Sequence, residues 1–172
     1  MSTFTILSVC PETGTAEYLE ELRNSWHGAI IAWELVWNRY GTKLHEYDGA
    51  LSNGAEDGRL WELQRDQRMS RAERVVFCLT FTRFYVKQQD FPRLADDIGD
   101  AFGGNPPGHW PHLVKLLHSQ PDVPALGFWW TSVAENPFAG DWNEEREEYD
   151  PIDPNMMVNV YEHITNLESE FV

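Results

Sequence analysis

The sequence predicts a mainly α fold: a single compact domain over 1–172 with five or six helices and at most a small β-sheet, its strand candidates at 3–9 and 126–133. Three observations predict it. Apolar residues recur at three- and four-residue steps through much of the chain, and 172 residues suit one core rather than two. A hydrophobic content of 42%, with 8 Trp, 6 Tyr and 9 Phe, supplies enough apolar area to order that core and excludes disorder across the whole chain.

Thr3 to Val9 alternates, with Phe4, Ile6 and Ser8 on one face and Thr5, Leu7 and Val9 on the other, and it ends at Pro11 and Gly14, which reads as a short strand. After Thr13 or Thr15 as N-cap, Leu19, Leu22, Trp26, Ala29, Trp33, Trp37 and Tyr40 form one helical stripe as far as Gly41. A single amphipathic helix is expected there, with its three tryptophans in the core. Between Thr42 and Gly58 the turn dipeptides Asp48-Gly49 and Asn53-Gly54 mark a loop, and a helix of a few turns comes next through Leu60, Trp61, Leu63 and Gln64. Ser70 and Glu73 form a capping-box pair that introduces the apolar run Val75 to Val86. The run's length and its cap favour a buried helix, while its β-branched and aromatic content keeps a strand open as the alternative.

Asp90-Phe-Pro92 opens a helix through Leu94, Ile98 and Phe102, stopped by Gly103-Gly104. Pro111 suits the first position of another, through Leu113, Val114, Leu116 and Leu117. If 126–133 is a strand, the adjacent Trp129 and Trp130 point to opposite faces, and one indole leaves the main core. Residues 134–153 read as an acidic loop, and Asp153-Pro154 begins a last helix whose stripe is Met157, Val160, Tyr161, Ile164, Leu167 and Phe171.

Charge is the most informative feature. The net charge of −15 opposes binding to bare nucleic acid or to an anionic membrane, because phosphate contacts need cationic side chains. It is also unevenly placed. From Glu135 to Val172 there are eleven carboxylates and one basic residue, Arg146, a net of −10. From Arg59 to Arg93 eight basic residues outnumber four acids. Those arginines either pair with the acidic segment inside the molecule or leave it outside for a basic partner, with Arg68, Arg71 and Arg74 then available to an anion. Within the acidic segment Trp142, Glu144, Glu145, Glu147, Glu148, Tyr149, Asp150 and Asp153 combine aromatics that anchor an interface with carboxylates that speed encounter.

Enzyme motifs are sparse. His27 and Glu34 lie seven residues apart on the expected long helix, in reach of one another as an acid/base pair. His109 and His112 flank Trp110 and Pro111, so they need not share a face, and a metal site would require a third ligand such as His118. Gly103 to Gly108 lacks the lysine of a phosphate loop, and no cofactor motif is present. Cys10 and Cys78, in apolar runs, read as buried reduced thiols with no neighbouring base. No signal peptide and no run of 18 apolar residues is found, so a soluble cytoplasmic protein is expected.

The function expected from these features is an acidic binding or inhibitor protein, of the toxin-neutralising immunity-protein type, that masks a basic partner such as a toxin or effector through its C-terminal acidic segment. The alternative is a small helical enzyme or ligand-binding domain with a pocket lined by His27, Glu34, His109, Trp110 and His112. A structural subunit that buries exposed tryptophans and its last helix against neighbours is a third reading.

Overall fold

In the computed structural model, residues 3–42, 50, 59–81, 83–130, 142–149 and 153–171 are described. Strand β1 (Thr3–Cys10) occupies the first predicted strand and presents the predicted faces. The segment after it is not a helix. The Cys10 carbonyl accepts from Thr13 N and Gly14 N, with Gly14 at φ +64°, and the chain reverses into β2 (Thr15–Arg23), paired antiparallel with β1 along its whole length. Asn24, also at positive φ, ends β2, and a 3₁₀ turn over Ser25–His27 leads to α1 (Ala29–Tyr40), the surviving half of the expected long helix.

The mainly α expectation is therefore corrected to a mixed α/β architecture, 50% helical and 22% strand, built on a five-stranded mixed sheet. The reason is tertiary. A short strand leaves a row of backbone donors and acceptors that needs a partner, and a four-residue turn delivers one at once, which outweighs the local helical spacing of Leu19, Leu22 and Trp26. The run Val75–Val86 resolves into both of its alternatives. Helix α3 (Arg71–Leu79) starts at the Ser70–Glu73 capping box, and β3 (Phe84–Lys87) comes after it.

Upstream of α3 lies the short α2 (Arg59–Glu62), continued by a 3₁₀ turn over Leu63–Arg65. Helices α4 (Phe91–Ala101) and α5 (Trp110–His118) fall where the sequence places them. Strand β4 (Ala125–Trp130) matches the second strand candidate up to Trp130, and 131–133 lie outside the described residues. Two short strands, β5 (Trp142–Asn143) and β6 (Glu148–Tyr149), pair within the expected acidic loop. Asp153-Pro154 begins only a 3₁₀ turn, over Pro154–Met156. Beyond it come β7 (Val158–Asn159) and then α6 (Val160–Ser169), capped by Asn159, whose side chain accepts from Tyr161 N and Glu162 N.

The strand order is β2-β1-β4-β3-β7, antiparallel except for β3 with β7. The helices join one face of this sheet in the main core, where Phe4, Ile6, Phe84, Val86, Phe128 and Trp130 meet Trp33, Trp37, Phe77, Leu94, Trp110 and Ile164. Trp130 stacks on Phe4 at 3.7 Å between ring centroids and donates its indole N–H to Leu79 O. Its neighbour Trp129 points to the opposite face, as strand geometry requires. That face carries a smaller cluster of Val9, Tyr85 and Ala125 with Leu7, Ala16 and Met157, to which no described helix contributes.

Candidate partner-binding surface

The histidine–glutamate pocket does not assemble. His27 sits in the 3₁₀ turn rather than on α1, while Glu34 on α1 accepts from Ala50 N at 3.1 Å. His109 donates from Nε2 toward the carbonyls of Arg23 and Asn24, and His112 bonds Glu20 at 3.0 Å. Trp110 is buried with its indole N–H on Gly28 O. Gly108, at φ +62°, lies so close to the His27 carbonyl that an added Cβ would stand 1.8 Å from it. The Gly/Pro loop thus rests directly on the turn, and of the five side chains expected to line the pocket Glu34, His109, Trp110 and His112 are each held by a structural bond. Among the described residues no group of three or more His, Cys, Asp or Glu could hold a metal ion. A cleft of 430 Å³ opens elsewhere, beside Lys87, Asp90, Tyr161 and Glu162. Its facing charges, Lys87 and Glu162, close on each other at 2.7 Å.

The thiols differ from expectation in one respect. Cys78 is buried, and burial pushes its pKa up. Cys10 is only partly buried, and hydrogen bonding with Thr13 draws its thiol below the ordinary range. The signal for that was local: a turn residue three positions on supplies a hydroxyl and an amide.

The basic stretch and the acidic end meet within one molecule. Arg71 and Arg74 both reach Glu168 on α6, Arg65 reaches Glu170, and Lys87 reaches Glu162. Arg68 instead folds onto Asp66, with Nη2 at 2.6 Å. The arginines proposed for an anion are thus engaged by carboxylates of the chain itself, and Glu162 and Glu168 of α6, with Glu170 just after it, are paired within the molecule.

The rest of the acidic segment is concentrated on the β5–β6 hairpin. Trp142 pairs with Tyr149 and Asn143 with Glu148 across the ladder. Asn143 Oδ1 accepts from the backbone N–H of Glu145 and of Arg146, both at 3.1 Å, and Glu147 takes φ +51°. This side-chain-locked turn holds Glu144, Glu145 and Glu147 exposed at its tip. The side chains of Trp142, Glu148 and Tyr149, and the whole of Asp150, lie outside the described residues. Asp153, exposed, is spent locally, its Oδ1 accepting from Asn155 N and Nδ2.

Sequence reasoning missed a second acidic surface. β2 carries Glu17, Glu20 and Glu21, has no buried residue, and forms one edge of the sheet. The chain holds no helix, among the described residues, long and apolar enough to cross a membrane. No family model, curated protein sequence or solved structure matches the chain.

Proposed function

We propose that this chain is an acidic binding protein that masks a basic protein partner in the cytoplasm, in the manner of an inhibitor or a toxin-neutralising immunity protein. One observation carries the reading: with Glu168 and Glu170 paired to arginines of the 59–93 stretch, the acids still in water include a hairpin tip, Glu144, Glu145 and Glu147, whose turn is held by Asn143. Fixed carboxylates steer a cationic surface at long range and need little reordering when it docks. The enzyme alternative has less support, since His109, His112, Trp110 and Glu34 are each committed to a structural bond.

The test compares two triple variants of equal charge. Glu144→Lys, Glu145→Lys and Glu147→Lys reverse the tip, while Asp96→Lys, Asp100→Lys and Asp122→Lys reverse exposed acids elsewhere. A basic partner recovered from the native host at low salt, then purified, is expected to lose at least tenfold in affinity for the tip variant, with a flatter salt dependence, and to keep its affinity for the control. Equal losses with both variants would show a response to net charge alone and sink the proposal.

A further inference from the structure

We infer that the free edge of β2 is a docking strand, onto which an extended cationic segment of a partner protein adds as a sixth strand of the sheet. This deepens the reading above, because it rests on the partner being basic and adds to the hairpin tip a second contact, made by an extended segment of that partner.

β2 is nine residues long, it ends the strand order, and no described residue pairs with its outer side. A strand in that position offers an unpaired row of N–H and C=O groups, about 30 Å long at ordinary strand rise. The large apolar residues that stand exposed among the described residues are Tyr18, Leu19, Trp26 and Met156. Tyr18 and Leu19 lie at the middle of β2, and Trp26 comes just after its C-terminal end. Met156 belongs to the 3₁₀ turn packed beside the strand, whose Asn155 abuts Gly14. Two of the four thus lie on the strand and two in the turns next to it, and Tyr18 is 64% exposed.

Charge selects the occupant. Glu17 and Glu21 on β2, and Glu12 in the turn before it, are set against one arginine, Arg23, while Glu20 is bonded to His112. A second copy pairing through the same edge would set these carboxylates against one another, and like charges across a strand pair oppose pairing. A lysine- or arginine-bearing strand meets them with opposite charge while its alternate side chains cover Tyr18, which pairs with Leu7 in the register. Charged residues and a bulge, here between Ile6 and Leu7 against Leu19, also protect edges from indiscriminate pairing. An edge shaped only for that purpose would not leave a tyrosine and a leucine exposed side by side at its middle.

The probe is a capped peptide of about nine residues alternating lysine with valine or threonine, titrated onto the full chain at 0.15 M salt, with amide hydrogen exchange read along β1 and β2. Binding is expected, with slower exchange of the β2 amides. Glu17→Lys with Glu21→Lys should weaken it at least tenfold, and the hairpin-tip triple variant less than twofold. The same peptide N-methylated at alternate backbone nitrogens keeps its charge but loses strand donors, and should also bind at least tenfold more weakly. Equal affinity for the N-methylated peptide, or no binding at millimolar concentration, would overturn strand addition while leaving the basic-partner reading standing. Equal affinity for a peptide with glutamate in place of lysine would overturn that reading and the cationic occupant with it. A dimer that protects β2 in the absence of peptide would make a second copy the occupant and overturn the proposal as well.

Discussion

Arg74 shows at a single residue why the basic stretch is structural. Its side chain is buried, and it donates to three carbonyls, Gln64 O at 2.7 Å, Asp66 O at 2.9 Å and Met69 O at 3.1 Å, as well as to Glu168 Oε1 at 2.9 Å. The planar guanidinium lets one side chain close the turn after α2 and tie it to α6, while lying over the Phe171 ring at 5.2 Å. Arg74→Met keeps most of the volume but strands those acceptors, so unfolding in urea should show a loss of about 3–5 kcal/mol. Glu168→Gln should cost far less, because its carboxylate is partly exposed and Arg74 keeps its three carbonyls. Similar losses from the two variants would show that the ion pair, and not the carbonyl cage, holds this corner. Glu73 is the counterpart on α3. Burial disfavours its charge, but hydrogen bonds from Tyr40, from the amide of Ser70 and from Arg39, with the Ser70 side chain close by, outweigh that and hold its pKa below the ordinary range.

The β1–β2 hairpin is the element that local reading missed, and its turn says why. Leu19, Leu22 and Trp26 do recur at helical steps, but of the three only Leu22 packs against the core, opposite Phe4. Spacing records which residues are apolar and not which backbone will pair, so a strand whose pairing is set by its neighbour hides behind a helical stripe. The Ser70–Glu73 cap, the faces of β1, and the opposed indoles of Trp129 and Trp130 were legible because each depends on residues within a few positions. The candidate surface was legible in part for the same reason: the acids of 144–148 are clustered, with Arg146 alone between them, whereas pairing of Glu162, Glu168 and Glu170 with arginines and a lysine about 75 to 105 positions away is not a local signal. The turn itself is open to test. Gly14 has φ +64°, and an added Cβ would lie 1.9 Å from Asn155 Oδ1. Gly14→Ala is therefore expected to cost about 2 kcal/mol, divided between left-handed backbone strain and displacement of Asn155. With Asn155→Ala already in place the cost should fall to about 1 kcal/mol. An unchanged cost would mean that the backbone angle alone fixes the hairpin.

At the scale of the whole molecule, acidity acts on stability through two opposed effects. A net charge of −15 repels itself, and falling pH relieves that repulsion as the chain approaches its isoelectric point near 4.6. Particular groups pull the other way. His163 is wedged against Phe84 and Trp61, bonded to Gln64 Oε1 at 2.7 Å, and burial, with Arg83 and Arg65 nearby, lowers its pKa. The folded chain thus prefers the neutral ring, so the contribution of His163 is complete above its unfolded value of about 6.5 and is lost as pH falls below it. Asp66, held down by its bonds with Arg68, and Glu73 have the same sign, but theirs is lost only as pH drops below the ordinary carboxylate range. Asp97, raised by burial, has the opposite sign and adds stability that disappears as pH climbs through its folded value. Because repulsion is common to every variant, a difference isolates the histidine. His163→Gln has no titrating ring yet can still donate to Gln64, so wild type should lose stability more steeply than the variant between pH 7.5 and 5.5 in urea titrations. Parallel curves would mean that His163 is protonated as readily in the fold as in the unfolded chain, and that the acid sensitivity of this molecule resides in its carboxylates.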